Sequence, residues 1–165
     1  MTQAEFEDLL RRFCAAAESG DGQAFSECFT PDGVYHDYIY GDHTGRADIA
    51  HMMSDLFHRD AGPDYRWEMF DPVCNGRIAY ARSLSSFTSK VPDFAGQRVV
   101  IDGISRFELR DGLICDYSES VNGGVAMAQL GVAAPRIEKV LQRWSRQLLE
   151  RPATQAFLAR TKNTV

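Results

Sequence analysis

Two carboxylates stand inside aromatic and branched stretches of the chain: Asp37 in "VYHDY" and Glu119 in "DYSESV". A carboxylate enclosed by apolar side chains loses hydration, so its proton affinity rises toward neutral pH. Two such groups in one pocket can divide the roles of acid and base. Tyr35, Tyr117 and Ser105 supply hydroxyls able to hold a carbonyl or alcohol oxygen. Alternation along strands puts Tyr35 and Asp37 on one face, with Tyr117, Glu119 and Val121 sharing a face further on. The plain structural alternative is that Asp37 caps a turn and Glu119 pairs with an arginine such as Arg82.

The histidines are less promising. Next to Asp37, His36 points to the opposite face of its strand and belongs to the exterior. His43, in the loop before a helix, is a candidate ligand contact at the pocket mouth. His51, Asp55 and His58 form a polar stripe of metal-ligating types, but a solvated helix face explains the same pattern. No metal is assigned, and no cofactor. The chain has no glycine-rich phosphate loop, no GxSxG elbow and no arguable Ser-His-Asp order.

Elements must position these groups. Thr2 and Glu5 form a capping box, and Phe6, Leu9, Leu10, Phe13, Cys14 and Ala17 repeat at helical spacing behind it. "SGDG" ends that helix, and a short second one carries Phe25, Cys28 and Phe29 inward. "TPDG" then turns the chain into an extended stretch, and Thr44-Gly45 opens a third helix with Ile49, Met53, Leu56 and Phe57 on its apolar side. "RWEMFDPVC" and "RIAYARSLSSFTS" flank Asn75-Gly76; "RVVIDGISRFEL" and "LICDYSESV" flank Asp111-Gly112. Both dipeptides are hairpin signals, so four strands form an antiparallel meander to which the extended stretch adds a shorter one. After Pro135 an amphipathic helix follows, with Ile137, Val140, Leu141, Trp144 and Leu148 on one face and Arg136, Lys139, Arg143 and Arg146 on its outer side. Pro152 stops it before a polar, frayed tail.

Helices first and a meander second make an α+β plan. A curved sheet wrapped around the N-terminal helices, with the extra C-terminal helix, leaves an open-mouthed cone suited to a ligand. With 165 residues, 44% hydrophobic, the expectation is one domain over residues 1–150 and a tail over 151–165. A net charge of −5 speaks against nucleic acid, and no apolar run spans a bilayer. The acidic N-terminus is unlike an export signal, and four dispersed cysteines read as reduced thiols of a cytoplasmic protein.

"FCAAAESGD", "FTPDGVYHD", "GRADI" and "IDGISRFELRDGLI" with the following "YSE" resemble the nuclear transport factor two-like superfamily. The likeness is to its ketosteroid isomerase and SnoaL-like polyketide cyclase branches. The resemblance implies a cone fold, a homodimer and a hydrophobic small-molecule ligand. It places the isomerase base on Asp37, through the spacing Asp32 to Asp37, and the cyclase acid on Glu119, after the Asp111–Ile114 turn. The isomerase's oxyanion tyrosine falls on Phe13 and its oxyanion aspartate on Ser105, so steroid isomerisation by that mechanism is not expected. Scytalone dehydratase-like members use middle-strand histidines, which these strands lack. The reading is a cofactor-independent isomerase, cyclase or dehydratase acting on a hydrophobic carbonyl compound. Its alternative is a non-catalytic binding or accessory subunit of the same fold.

Overall fold

The computed structural model describes residues 1–161. Thr2 caps α1 (Gln3–Ser19): its hydroxyl accepts from the Glu5 amide while the Glu5 carboxylate accepts from the Thr2 amide at 2.7 Å. The face holding Phe6, Leu9, Leu10 and Phe13 is buried, as its spacing predicts. Asp21 caps α2 (Gly22–Glu27) through the Ala24 amide. The chain then extends as β1 (Phe29–Asp37) and doubles back as β2 (Gly41–Thr44). α3 (Arg46–His51) runs through a π-helical stretch, Met52–Phe57, into α4 (His58–Ala61). That wider winding is a common companion of functional sites, and here Met53 and Phe57 face a cavity.

The meander follows as β3 (Arg66–Cys74), β4 (Ile78–Thr88), β5 (Arg98–Arg110) and β6 (Leu113–Val121). At the β5–β6 turn Asp111 and Gly112 both have positive φ, 54° and 79°. This is the backbone twist that a two-residue hairpin requires and that Asp-Gly tolerates. The six strands form one sheet in the order β2-β1-β6-β5-β4-β3. Every neighbouring pair is antiparallel except β1 and β6, which run parallel with Tyr35 opposite Tyr117 and His36 opposite Ser118. The sequence pattern gives the meander but not this pairing, because no hairpin turn links β1 to β6.

The concave face of the sheet packs on the helices through Phe6, Phe13, Phe25, Phe29, Phe107 and Tyr117, all fully buried. Each such side chain contributes about 1.5–3 kcal/mol of burial free energy. Cys14 and Cys28 lie at or near this core, and burial pushes their thiols up to about 12 and about 11. They are poor nucleophiles at neutral pH.

Beyond β6 come α5 (Gly123–Gln129), α6 (Ala134–Glu150) and α7 (Pro152–Thr161). The last of these corrects the expected frayed tail: Pro152 ends α6 but begins another helix, as proline does at a first helical turn. The tail's residues 162–165 lie outside the described residues. No helix among the described residues is long and apolar enough to cross a membrane.

Candidate active site

The parallel register of β1 on β6 builds the site. Opposite each other, the rings of Tyr35 and Tyr117 stack with centroids 4.8 Å apart. Two residues further along each strand, on the same face, come Asp37 and Glu119. The expected pair therefore stands on adjacent strands of one wall, not on facing walls.

Both line a cavity of about 350 Å³, within the range of small-molecule sites. Its remaining wall is mostly aromatic and aliphatic, with Tyr65 and Trp67 from β3 and the segment before it, Phe57, Val121 and, from α6, Trp144, but it also holds Asp60, Arg136 and Arg143. Apolar surroundings strip water from Glu119 and raise its pKa to about 7. The Tyr117 hydroxyl opposes that rise by donating to Oε1, and the nearby Asp37 charge reinforces it. Asp37 is raised too, chiefly by burial, but two backbone amides work against the shift. Ile39 and Tyr40 donate to its Oδ1 at 2.6 and 2.8 Å. So Asp37 does cap a turn, as the structural alternative held, and it also faces the cavity.

Among the described residues Glu119 has no arginine partner; Arg82 pairs with Asp102 on the outer face of the sheet. His36 is half-exposed, its two ring nitrogens at 2.7 Å from Asp42 and 3.0 Å from Asp116 on the outer side, while the residue also borders the cavity. Burial pulls its pKa down, and the two carboxylates outweigh that and leave it raised.

Four expected ligand contacts need correction. Phe13 is fully buried among Phe25, Phe29, Trp67, Phe107 and Tyr117 and does not reach the cavity, because α1 packs its whole apolar face into the core. Ser105 is equally buried, 3.0 Å from the Tyr117 hydroxyl. Tyr117 is fully buried behind the wall and reaches the site only through Glu119. Ser105 and Tyr117 are positioning residues, not ligand contacts. His43 is buried opposite Tyr35 with Nδ1 3.0 Å from Asp48, and it is not part of the cavity lining. Tyr35 and Val121 do line it, as expected.

Sequence reading missed Tyr40, whose hydroxyl donates to Asp60 at 2.7 Å on the cavity wall, and the ring pair Tyr65 and Trp67. Alternation at the start of β3 puts Trp67 inward, so that residue was findable; Tyr40 lies in a turn, where no periodicity applies. The outer-side placement of the α6 arginines also fails in part, since Arg136 and Arg143 join the cavity lining. His51 pairs with Asp55 at 2.8 Å on the surface, and among the described residues no group of three His, Cys, Asp or Glu side chains is arranged to hold a metal ion.

A carboxyl raised to about 7, a second carboxylate beside it and a mostly apolar chamber thus share one cavity. The sequence profile of the SnoaL-like domain matches residues 10–117, and the chain belongs to that family. Solved structures share its fold. One is a Catenulispora acidiphila protein with a ketosteroid isomerase-like fold, in complex with trimethylamine. It is 17% identical over 78% of this chain and 95% of its own, with a TM-score of 0.68. A SnoaL-like polyketide cyclase from Jannaschia sp. CCS1 is 13% identical over 79% and 94%, with a TM-score of 0.65. An epoxide hydrolase of the LEH-like type from M. tuberculosis is 15% identical over 77% and 90%, with a TM-score of 0.62. No curated protein matches the sequence.

Proposed function

We propose that the protein is a cofactor-independent enzyme of the isomerase, cyclase or dehydratase type, acting on an apolar carbonyl-bearing small molecule. The observation that carries this reading is Glu119: a carboxyl group on an apolar cavity wall, pushed up to about 7 beside a second carboxylate. A group titrating at the working pH both gives and takes protons efficiently. Asp37, its Oδ1 fixed by two amides that favour the ionised form, is the base; Glu119, more proton-retentive, is the acid or second base. The Tyr117 hydroxyl fixes one Glu119 oxygen and leaves the other for substrate.

Proton exchange tests this without a known product. A panel of hydrophobic ketones is incubated with the protein in D2O, and loss of the α-proton signal is followed by NMR. Exchange is expected for ketones that fit, falling about a hundredfold in Glu119→Gln and in Asp37→Asn. Unchanged exchange in Glu119→Gln removes the residue from the mechanism.

A binding module is the second reading, and it too has an observation in its favour. The two positions where the isomerases place oxyanion donors, Phe13 and Ser105, are sealed off from the cavity. That reading expects ligand affinity to survive loss of both carboxylates, with no exchange in any ketone. We also propose a homodimer formed through the outer face of the sheet, where Tyr80, Val100 and Ile104 are exposed.

A further inference from the structure

The cavity lining carries charge of both signs. Glu119 and Asp37 come from the sheet, Asp60 is held by Tyr40 and Arg59, and α6 brings Arg136 and Arg143. Positions 136, 140, 143 and 144 recur at the three- and four-residue spacing of one helical face. Both guanidiniums therefore share the stripe on which Val140 and Trp144 meet the cavity. Both arginines are exposed. Neither has a carboxylate partner among the described residues: Arg136 lies 5.8 Å over the Phe94 ring, and Arg143 forms no ion pair. On the sheet, Arg82, Arg98, Arg106 and Arg110 each hold a carboxylate, while Arg66 donates to the Tyr65 carbonyl.

Uncompensated positive charge at the rim of an apolar chamber sorts ligands by charge. An anionic group driven into the chamber would lose its hydration and meet Asp37 and Glu119. Left at the rim, it keeps contact with water and gains charge-assisted hydrogen bonds from guanidinium. Apolar surface gains free energy only by going the other way.

We propose that the ligand is an amphiphile, its apolar body in the cavity and an anionic head group, carboxylate or phosphate, held at Arg136 and Arg143. The proposal deepens the reading of this cavity as the substrate site and rests on it for location, not for proton chemistry.

The chain's two tryptophans, Trp67 and Trp144, both line the cavity, so intrinsic fluorescence reports its occupancy. The titrants are decanoate, decyl phosphate, methyl decanoate and decyltrimethylammonium, each below its micelle-forming concentration at pH 8. Decanoate or decyl phosphate is expected to bind about fivefold more tightly than methyl decanoate, the tighter of the two naming the head group. The preference shrinks as salt is added. An Arg136→Gln, Arg143→Gln double variant, in which only exposed side chains change, is expected to lose the preference and keep the methyl decanoate affinity and the thermal transition. Equal affinities in the unaltered protein overturn the proposal. So do tightest binding of the cation, a preference that survives in the double variant, or binding of none of the four. The catalytic reading fails separately: Glu119→Gln with unchanged proton exchange sinks it while leaving the anion preference in place.

Discussion

Glu119 shows how one residue ties chemistry to stability. In the unfolded chain it titrates near its ordinary 4.5, and in the folded protein at about 7. The native state therefore holds the extra proton between those values, and stability falls as pH rises through that window. The full effect is about 3 kcal/mol at most, with Asp37, also raised, adding in the same direction from a lower pH. Urea denaturation at pH 5 and pH 8 should show this loss in the unaltered protein and a flatter profile in Glu119→Gln. Tyr117→Phe makes the complementary case. It removes the donor that stabilises the carboxylate, so the pH at which Glu119 ionises moves up, and the pH profile of proton exchange moves with it. It also orphans the buried Ser105 hydroxyl, for about 1–3 kcal/mol of stability. A purely structural tyrosine would lower stability and leave the pH profile where it was. Glu119 could be picked out of the sequence because it shares the parity of Tyr117 and Val121, beyond the register shift that turns Ile114 inward as well. The burial of Ser105 and Phe13 could not, since facing inward does not tell whether a side chain reaches the cavity or the core beneath it.

Among the elements, α6 is loosely held and yet borders the cavity. None of its residues is fully buried, yet Val140 and Trp144 close one side of the cavity. Trp144 meets Tyr38 edge-on, with centroids 5.6 Å apart, and seats against Gly123 at the start of α5. A Cβ at Gly123 would lie 2.7 Å from two carbons of the indole, so only glycine lets the ring settle there. Gly123→Ala should lift α6 from the mouth, speed amide exchange along it and weaken ligand binding about tenfold. The core unfolding transition should hardly change, because α1, α2 and the sheet do not depend on this contact. Local and global stability separate in this way when an element contributes little to the core. An apolar stripe from Ile137 to Leu148 announced an amphipathic helix, but not which of its arginines would share the stripe. Arg136 and Arg143 lie at its border, where helical spacing alone does not choose a side.

At the scale of the whole molecule, one face of the sheet is packed on helices and the other is partly apolar and open. Tyr80, Val100 and Ile104 expose 43%, 43% and 47% of their surface there, enough to favour self-association if it aligns with a copy. Sedimentation should find a dimer, and Ile104→Arg should give a monomer that keeps the cavity and its ligand. A monomeric unaltered protein would end the dimer proposal. The sequence by itself determined α1, α2, α3 and α6, the two hairpins, the α+β plan and the candidacy of Asp37 and Glu119, but not α5 or α7. Capping, periodicity and turn chemistry are local, and each acts within about a dozen residues. Only the tertiary structure decided that β1 runs parallel to β6, which sets the two carboxylates side by side, shuts Phe13, Ser105 and Tyr117 behind the wall and brings α6 over the mouth. The β1–β6 pairing joins residues more than eighty positions apart, and its choice depends on how the whole core packs, which no local pattern encodes.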